Sequence, residues 1–296
     1  MPRAGIVTVV GKPNVGKSTL LNRIIGQKLS ITSSKPQSTR DRIVGIHSQD
    51  EVQMVILDTP GLLEPRYELQ RAMRATALRA LEDADVVVYL IDAHDPAAPP
   101  LAEAAALERP PHAPVITAIN KMDTLEPAAR QELLGRIAGN DSIVAISAAS
   151  GEGVAELLER VAARLPESPF LYPEDEIGTQ TLRFFTAELI RETALEQLEE
   201  EVPYSVACEI EEFREERRPV YIRAVVYVER QTQKQILIGR KGERIREIGR
   251  ASRVKIEELV GAPVYLDLWV KVLPNWRRNA KALRRFGYKP SEDATP

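Results

Sequence analysis

The chain has 296 residues, of which 44% are hydrophobic and 28% are charged, a composition typical of globular proteins and a length that suggests about two domains. Its single cysteine, Cys208, excludes both a disulfide framework and a cysteine-based zinc site, which indicates a reducing compartment. No apolar run approaches the roughly 18 to 20 residues that a membrane span needs, so we expect a cytoplasmic protein.

Charge is distributed unevenly along the chain. The whole sequence carries 40 basic and 43 acidic residues, a net charge of −3 that favours no class of partner. Residues 173–216 carry 3 basic and 14 acidic residues, whereas residues 217–289 carry 19 basic and 6 acidic residues. A compact segment with a net charge of +13 suits the sequence-independent part of nucleic-acid binding. A solvated charged face, partly neutralised by the acidic stretch, would give the same count.

Short β-branched runs alternate with longer amphipathic runs as far as residue 165. This alternation predicts an α/β fold of β-α units on a mostly parallel sheet, with binding loops at the carboxyl ends of the strands. The predicted strands are residues 6–10, 43–48, 54–57, 86–91, 115–119 and 143–146. The predicted helices are residues 17–25, 67–82, 101–107, 128–137 and 153–165.

A proline-rich linker follows this first part. Pro166, Pro169 and Pro173 cannot continue a helix and favour extended backbone, so we place one domain at residues 1–172, linker included, and a second at residues 173–296. The second domain has the α+β order α-β-β-α-α-β followed by a basic tail. Its predicted elements are a helix at 181–201, strands at 205–213 and 220–228, a helix before a glycine turn, and then a helix at 243–259, a strand at 264–272 and a helix at 280–286.

A phosphate-binding loop is predicted between the first strand and the first helix. The pattern G-x-x-x-x-G-K-[ST] is matched by Gly11, Lys12, Pro13, Asn14, Val15, Gly16, Lys17 and Ser18. Backbone N–H groups that curl into a helix N-terminus can surround a phosphate with aligned dipoles. Lys17 then places a cation on the β- and γ-phosphates, Ser18 offers a hydroxyl to Mg²⁺, and Thr19 completes the loop.

A second motif follows the third predicted strand. Asp58, Thr59, Pro60 and Gly61 form a D-x-x-G sequence directly after an apolar strand. Asp58 can hold Mg²⁺ through water, and the N–H of Gly61 can meet a γ-phosphate. The motif is weak when it stands alone, but its position at a strand end agrees with that of the phosphate loop.

Two further motifs predict the base of the nucleotide. Asn120, Lys121 and Asp123 follow another strand, and an aspartate there can accept hydrogen bonds from both N1–H and N2–H₂ of guanine, whereas adenine would leave that carboxylate unpaired. Ser147 and Ala148 follow the next strand, where a backbone N–H could meet the guanine O6. Each motif taken singly could be a turn or a helix cap.

Together these motifs resemble the five signatures of a translation-factor-class GTPase. Asn14 and the Lys-Pro-Gln-Ser-Thr-Arg sequence at residues 35–40 resemble the Era family more closely than Ras-type proteins. The resemblance implies that Thr39 binds Mg²⁺ in the GTP state and acts on the γ-phosphate together with Lys17 and Gly61. Ser38 stands where the family usually has another threonine, and the sequence alone does not separate Thr39 from Ser38.

The resemblance also predicts how fast GTP is hydrolysed. Leu62 stands where a Ras-type enzyme has the glutamine that orients the attacking water, and leucine can neither donate nor accept a hydrogen bond. We therefore expect slow turnover, on the order of 10⁻⁴ per second or modestly above. Related GTPases with the asparagine found at position 14 use K⁺ at the phosphates, so Asn14 is a candidate K⁺ ligand.

A candidate RNA-binding loop lies in the basic segment. Gly239, Arg240, Lys241 and Gly242 form a G-x-x-G loop between two helical patterns, where the glycines let an RNA backbone approach and the cations neutralise phosphates. By itself the motif is weak, because a helix-turn-helix corner can look the same. With the α-β-β-α-α-β order and the +13 segment it resembles a type II KH domain, which clamps about four nucleotides of single-stranded RNA.

The Era resemblance extends over nearly the whole chain, through residues 203–206, 269–272 and 286–288. It implies that the RNA is 16S ribosomal RNA near its 3′ end and that the protein assists assembly of the 30S subunit. The resemblance also offers peripheral association with the inner face of the cell membrane as an alternative to a purely cytoplasmic location, although the sequence shows no amphipathic anchor. We expect a monomer. Trp276 and Tyr288 are expected to pack the last helix onto the KH sheet rather than to stack on bases.

Three other functions are weighed against this one. A subunit of an RNA-modifying enzyme would need a cluster of residues for the modification chemistry, and none is evident in the sequence. A structural RNA-binding protein with a relic nucleotide site is disfavoured by the intact Lys17, Ser18, Asp58 and Asp123. A metabolic ATP-dependent kinase is disfavoured by the guanine-selective position of Asp123.

Overall fold

The computed structural model describes residues 1–33 and 35–289, which form two compact units. One unit comprises Met1–Pro65 and Met73–Thr179, and the other comprises Arg66–Ala72 and the chain from Gln180 onward. The last residues of the predicted second domain, 290–296, lie outside the described residues. Among the residues described, no helix is both long enough and apolar enough to traverse a bilayer.

The first unit is built on a six-stranded sheet with the strand order β2-β3-β1-β4-β5-β6. All neighbouring pairs are parallel except β2 and β3, which are antiparallel. The strands are β1 (Arg3–Val10), β2 (Ile43–Gln49), β3 (Val52–Asp58), β4 (Val86–Asp92), β5 (Val115–Asn120) and β6 (Ile143–Ala145). The helices are α1 (Lys17–Ile25), α2 (Glu68–Glu82, counted in this unit from Met73 on), α3 (Leu101–Ala104), α4 (Pro127–Ile137) and α5 (Val154–Ala162), and one turn of 3₁₀ helix spans Met122–Thr124.

The parallel register brings the four predicted motifs to one edge of this sheet. Val9 at the end of β1 pairs with Asp58 at the end of β3, and Asn120 at the end of β5 pairs with Asp92 of β4. The long apolar runs of β1, β3 and β4 are buried almost throughout, as expected for parallel strands covered by helices. The predicted P-loop architecture with a mostly parallel sheet is confirmed.

The second unit contains a three-stranded sheet with the order β7-β8-β9, in which β7 and β8 are antiparallel and β8 and β9 are parallel. Its elements are α6 (Leu182–Gln197), α7 (Val202–Ser205), β7 (Ala207–Arg214), β8 (Val220–Val228), α8 (Gln231–Ile238), α9 (Glu243–Val260), β9 (Val264–Val272) and α10 (Ala280–Arg285), with 3₁₀ turns at Arg240–Gly242 and Trp276–Arg278. Side chains of one sheet face pack with α6, α8 and α9 in a single core. The predicted α-β-β-α-α-β order is present, with α7 as an additional short helix.

Three predicted helices are shorter in the structure. The helix predicted at 181–201 ends at Gln197, because Leu198 is extended and a new helix begins at Val202, with Pro203 in its first turn, where its missing N–H costs nothing. The helices predicted at 101–107 and 153–165 end at Ala104 and Ala162.

The linker packs on the first unit, beyond the predicted division after residue 172. Gln53 of β3 is fully buried, and its Oε1 accepts hydrogen bonds from the N–H groups of Leu171 (2.7 Å) and Tyr172 (2.9 Å). Its Nε2 donates to the carbonyl oxygen of Tyr172 at 2.9 Å. Further along, the carbonyl oxygen of Ile177 accepts from the N–H of Ile46 on the edge strand β2 at 3.0 Å. The chain therefore leaves this unit only at residue 179.

We predict that Gln53→Leu detaches this part of the linker. The substitution removes one acceptor and one donor while the N–H groups of Leu171 and Tyr172 stay beside apolar surface, and each unsatisfied group costs about 1–3 kcal/mol. Amide hydrogen exchange of residues 171–178 in the full chain should accelerate by at least roughly tenfold. Gln131→Leu, at an exposed position of α4, is the control. Unchanged protection in Gln53→Leu would contradict the role of Gln53.

Candidate functional site

A cavity of about 260 Å³ lies where the strand ends of the first unit meet. It is lined by residues from all four motifs and from the loop before β2. The predicted residues that line it are Pro13, Asn14, Gly16, Lys17, Ser18, Thr19, Thr39, Gly61, Asn120, Lys121, Asp123 and Ala148. The structure thus brings the phosphate, metal and base motifs together around one cavity.

Seven predicted residues are not among those that line the cavity: Gly11, Lys12, Val15, Asp58, Thr59, Pro60 and Ser147. Several of them support the residues that do. Thr59 is buried and donates through Oγ1 to the carbonyl oxygen of Val9 at 2.9 Å. Ser147 is also buried, and its Oγ accepts from the N–H of Ser150 at 3.0 Å. Lys12 instead forms an exposed ion pair with Asp95 at 2.8 Å.

Gly16 and Asn120 join the phosphate loop to the base side of the cavity. Gly16 has φ of 102°, and a Cβ on it would lie 2.2 Å from the Nδ2 of Asn120, so only glycine fits. The buried Asn120 donates through Nδ2 to the carbonyl oxygen of Val15 at 2.8 Å and accepts through Oδ1 from the N–H of Ala148 at 2.8 Å. Both polar ends of Asn120 are therefore bonded to protein, and this side chain holds two loops at a fixed separation.

Lys17 is buried at the floor of the cavity. Its Nζ donates to the carbonyl oxygens of Gly11 (3.2 Å) and Lys12 (2.9 Å), both within the phosphate loop. Burial lowers the pKa of Lys17 to about 8, and the nearby carboxylate of Asp58 only partly offsets this effect. A bound anion would favour the charged amine, so this position suits a phosphate.

A cluster of oxygen atoms lies next to Lys17. Oδ2 of Asp58 accepts from the hydroxyls of Ser18 (2.6 Å) and Ser30 (2.7 Å) and lies 3.5 Å from that of Thr39, while the Ser18 and Thr39 hydroxyls are 2.8 Å apart. Burial raises the pKa of Asp58, although Lys17 and the three hydroxyls counteract the shift. Oδ1 of Asp58 is buried without a hydrogen-bond partner within the described part of the chain.

The base side of the cavity is more open. Asp123 is exposed at the rim, in the 3₁₀ turn Met122–Thr124. Lys121 has φ of 72°, and its Nζ bonds to Oδ2 of Asp92 at 2.6 Å, which orients the segment that carries Asp123. The N–H of Ala148 donates to Oδ1 of Asn120. Both Ala148 and the following residue, Ala149, lie at the cavity wall.

Sequence reasoning missed the first part of the loop between α1 and β2, which contains Ser30. Ser30 reaches Asp58 because Asn22 of α1 binds this loop: Oδ1 of Asn22 accepts from the N–H groups of Leu29 (2.9 Å) and Ser30 (2.8 Å). No spacing pattern marks these residues. Other wall residues that were not predicted are Ile31, Thr32, Ser33, Thr124 and Ala149, whereas Gln37 and Ser38, also at the wall, lie in the segment 35–40 that carried the family resemblance. Leu62, by contrast, packs in the core of the unit with 5% of its surface exposed.

The second unit has a groove of about 280 Å³ between α9 and β9. Its walls are apolar and basic, formed by Ile245, Arg246, Gly249, Arg250, Arg253, Tyr265, Leu266 and Leu268. At the start of α9 the G-x-x-G loop exposes Arg240 and Lys241. Arg246 donates to the carbonyl oxygens of Gly242 (3.0 Å) and Lys241 (2.7 Å), which fixes the loop. No ion pair within residues 1–33 and 35–289 involves Arg240 or Lys241.

Comparison with known proteins agrees with both predicted domains. A family model described as 50S ribosome-binding GTPase matches residues 6–121, and one described as KH domain matches residues 201–277. GTPase Era of Pseudomonas aeruginosa (strain LESB58) is 45% identical over 293 residues, which cover 97% of this chain and 95% of the relative. GTPase Era of Carboxydothermus hydrogenoformans is 41% identical over 295 residues, covering 98% and 99%.

Solved structures extend the likeness to the full fold. A variant of Era from Aquifex aeolicus bound to GDP·AlF4⁻ superposes with a TM-score of 0.89 at 41% identity, covering 97% of this chain and 99% of that one. Era in complex with MgGDPNP and nucleotides 1506–1542 of 16S ribosomal RNA superposes with a TM-score of 0.90 at 40% identity, covering 98% and 100%. Fold and site thus define a GTP-hydrolysing P-loop protein with a KH domain. The chain belongs to the Era family of GTPases.

We predict that Asn120→Ala separates the two loops that Asn120 joins. The carbonyl oxygen of Val15 and the N–H of Ala148 would each lose their partner in a buried place, at about 1–3 kcal/mol per group. Affinity for GDP should fall by roughly tenfold to hundredfold, with faster amide exchange at residues 11–18 and 147–150. Asn140→Ala, on an exposed turn, is the control. Wild-type affinity and exchange in Asn120→Ala would show that the bridge is dispensable.

Proposed function

We propose that this chain is a GTP-dependent switch that binds the 3′ region of 16S ribosomal RNA through its KH domain and assists assembly of the 30S subunit. The observation that supports this most directly is that Era in complex with MgGDPNP and nucleotides 1506–1542 of 16S ribosomal RNA superposes on 98% of this chain, which has one candidate site in each unit. These sites are the oxygen cluster around Asp58 and the basic groove beside the G-x-x-G loop.

The phosphates of the nucleotide bind at the phosphate loop. Asn14, Gly16, Lys17 and Ser18, just before and at the start of α1, line the cavity, and their backbone N–H groups together with the helix dipole favour negative charge there. Lys17 exchanges its bonds to the carbonyl oxygens of Gly11 and Lys12 for the β- and γ-phosphates. Because this amine is buried, its attraction to a phosphate is screened little by solvent.

The oxygen cluster fits a hard divalent cation. Mg²⁺ prefers oxygen ligands, and here a buried carboxylate, two hydroxyls and an unpartnered Oδ1 converge within the described residues. Ser18 and Thr39 would hold Mg²⁺ directly and Asp58 through water. When bound, Mg²⁺ neutralises charge that develops on the phosphates. When Mg²⁺ and GTP are bound, Thr39 would hold the loop before β2 against the metal ion. In this way a γ-phosphate can order a switch segment.

Asp123 selects the base, and Asn120 and Lys121 hold the segment that carries Asp123 in position. The exposed carboxylate of Asp123 can accept two hydrogen bonds from guanine, whereas Asn120 keeps the phosphate loop and the loop at Ala148 in register. Lys121 is held by Asp92 at 2.6 Å.

Hydrolysis is slow because no side chain at position 62 can orient water. Leu62 is buried in the core and its N–H donates to the carbonyl oxygen of Gly11 at 3.0 Å, so its backbone braces the phosphate loop instead. Gly61 lines the cavity and offers its N–H to the γ-phosphate. Asn14, with φ of 63° and also at the cavity wall, is placed to contribute a ligand to K⁺.

The KH groove binds single-stranded RNA. Phosphates pass over the G-x-x-G loop, where Arg240 and Lys241 are exposed, and bases enter the groove against the apolar surface of Ile245, Leu266 and Leu268. Arg250 and Arg253 on the groove wall add positive charge that does not depend on RNA sequence. Ordering of the switch segment in the GTP state then regulates RNA access.

We expect Asp123→Asn to change the base preference. An amide offers one acceptor where guanine needs two, but its N–H₂ can donate to O2 of xanthine. GDP affinity should fall by roughly a hundredfold, and affinity for xanthosine diphosphate should rise, as measured by calorimetry in Mg²⁺ buffer. Asp141→Asn, an exposed acid of the same unit, should change neither. Unchanged GDP binding by Asp123→Asn would refute the base assignment.

Gly242→Asp and Gly242→Asn form a matched pair for the RNA site. Gly242 has φ of 77°, which both residues tolerate better than other side chains do, and a Cβ there would meet only Ile245 Cγ2 at 4.0 Å. Both add bulk at the backbone contact, but only Asp adds negative charge. The RNA affinity of Gly242→Asp should be at least about tenfold lower than that of Gly242→Asn, and the GDP affinity of both variants should be unchanged. Equal, wild-type RNA affinities in both would exclude the loop as the clamp.

A further inference from the structure

The C-terminal segment 277–289 contains six basic residues and no acidic residue. Two of these are paired: Arg277 with Glu229 at 2.5 Å and Arg285 with Glu209 at 2.6 Å. The others are exposed and have no ion-pair partner in the described part of the chain; they are Arg278, Lys281, Arg284 and Lys289, which we call the α10 surface. A solvated surface usually mixes acidic and basic side chains. The α10 surface has four cations and no acid from its own segment, so it carries a net positive charge.

The α10 surface lies on the sheet face that the large helices leave uncovered. Val226 and Val228 of β8 pack with α6, α8 and α9, so Tyr227 between them points to the opposite face. The ring of Phe286, directly after α10, lies 5.3 Å from that of Tyr227, and Leu283 is fully buried. The apolar side of α10 is thus packed inward, which leaves its basic side chains outward.

Two exposed aromatic residues connect this surface with the KH groove. Tyr265 lines the groove and is 58% exposed, and Trp269, four residues further and therefore on the same side of β9, is 55% exposed. The strand register then places Lys271 beside Tyr227, the residue that Phe286 covers. A row of exposed side chains therefore runs from the groove over the edge strand to the α10 surface.

We propose that RNA longer than the KH groove continues over the edge of β9, where Tyr265 and Trp269 stack on bases, and that the α10 surface binds its phosphates. This inference rests on the proposed RNA binding but concerns a different face of the unit. Aromatic rings on a strand, followed by cations, are the combination that tracks single-stranded nucleic acid. An anionic membrane is the less suitable ligand, because Ala282 and Leu283 of α10 are buried and cannot enter a bilayer, which leaves the half-buried Ala280 as the apolar residue of this helix nearest the surface.

The test compares two lengths of single-stranded RNA on the full chain. Lys281→Glu/Arg284→Glu should bind an oligoribonucleotide of about 16 nucleotides roughly tenfold more weakly than wild type, with a salt slope reduced by about 1.4. An oligoribonucleotide of about four nucleotides, which fills only the groove, should bind both proteins equally. Trp269→Ala should also weaken only the longer RNA, by roughly tenfold.

Arg109→Glu/Arg217→Glu makes the same change in net charge at exposed positions away from α10 and should bind both RNAs as wild type does. Fluorescence of the buried Trp276, whose Nε1 donates to the carbonyl oxygen of Ser205 at 2.8 Å, reports whether the tail stays folded. If Lys281→Glu/Arg284→Glu binds both RNAs with the affinity and salt slope of the wild type, the inference is overturned. It is also overturned if this variant loses binding to vesicles of phosphatidylserine and phosphatidylcholine but keeps its affinity for RNA. Failure of the wild-type chain to bind either RNA would instead refute the proposed function.

Discussion

The nucleotide site depends on a cation and a carboxylate that are both buried at neighbouring strand ends. β1 leads into the phosphate loop that carries Lys17, and its register pairs Val9 with Asp58 at the end of β3. Burial lowers the pKa of Lys17 and raises that of Asp58, so each charged form costs free energy unless neighbours supply hydrogen bonds. Carbonyl oxygens bond to the amine and hydroxyls to the carboxylate. A nucleotide with its metal ion provides stronger partners, and its binding therefore stabilises the fold by mass action.

Motif spacing predicted the residues of this site that lie close together in the sequence at one strand end. Gly16, Lys17 and Asp58 follow rules of local sequence, because strand, turn and helix N-terminus must be adjacent in the chain. Asn120 lines the cavity, but its bonds to Val15 and Ala148 could not be predicted, because they join loops that are far apart in sequence. Ser30 was missed for the same reason: a serine without a motif gains its position only from Asn22 and Asp58.

The second unit shows the same limit in its boundaries and its tail. The order of strands and helices followed from hydrophobic periodicity, but the helix expected to reach residue 201 ends at Gln197 because a new helix, with Pro203 in its first turn, begins at Val202. Trp276 was expected to pack rather than to stack on bases, and this is confirmed, since its ring is fully buried and lies 5.2 Å from that of Phe286. Aromatic content alone did not indicate that Tyr265 and Trp269, on the edge strand, are the exposed rings.

Ion pairing explains why a basic segment beside an acidic one can still attract RNA. The acidic residues of β7 lie on the same sheet as basic residues from β8, β9 and the tail: Glu212 pairs with Arg223 at 2.8 Å and Glu211 pairs with Lys271 at 2.9 Å. These pairs consume positive charge on the sheet, and exposed pairs of this kind contribute at most about 1 kcal/mol to stability. The cations at the G-x-x-G loop and on the α10 surface are among those that have no ion-pair partner within the described residues. The net charge of the segment therefore overstates the attraction between the sheet and RNA phosphates. It understates that attraction at the G-x-x-G loop and the α10 surface, where we expect phosphates to bind most strongly.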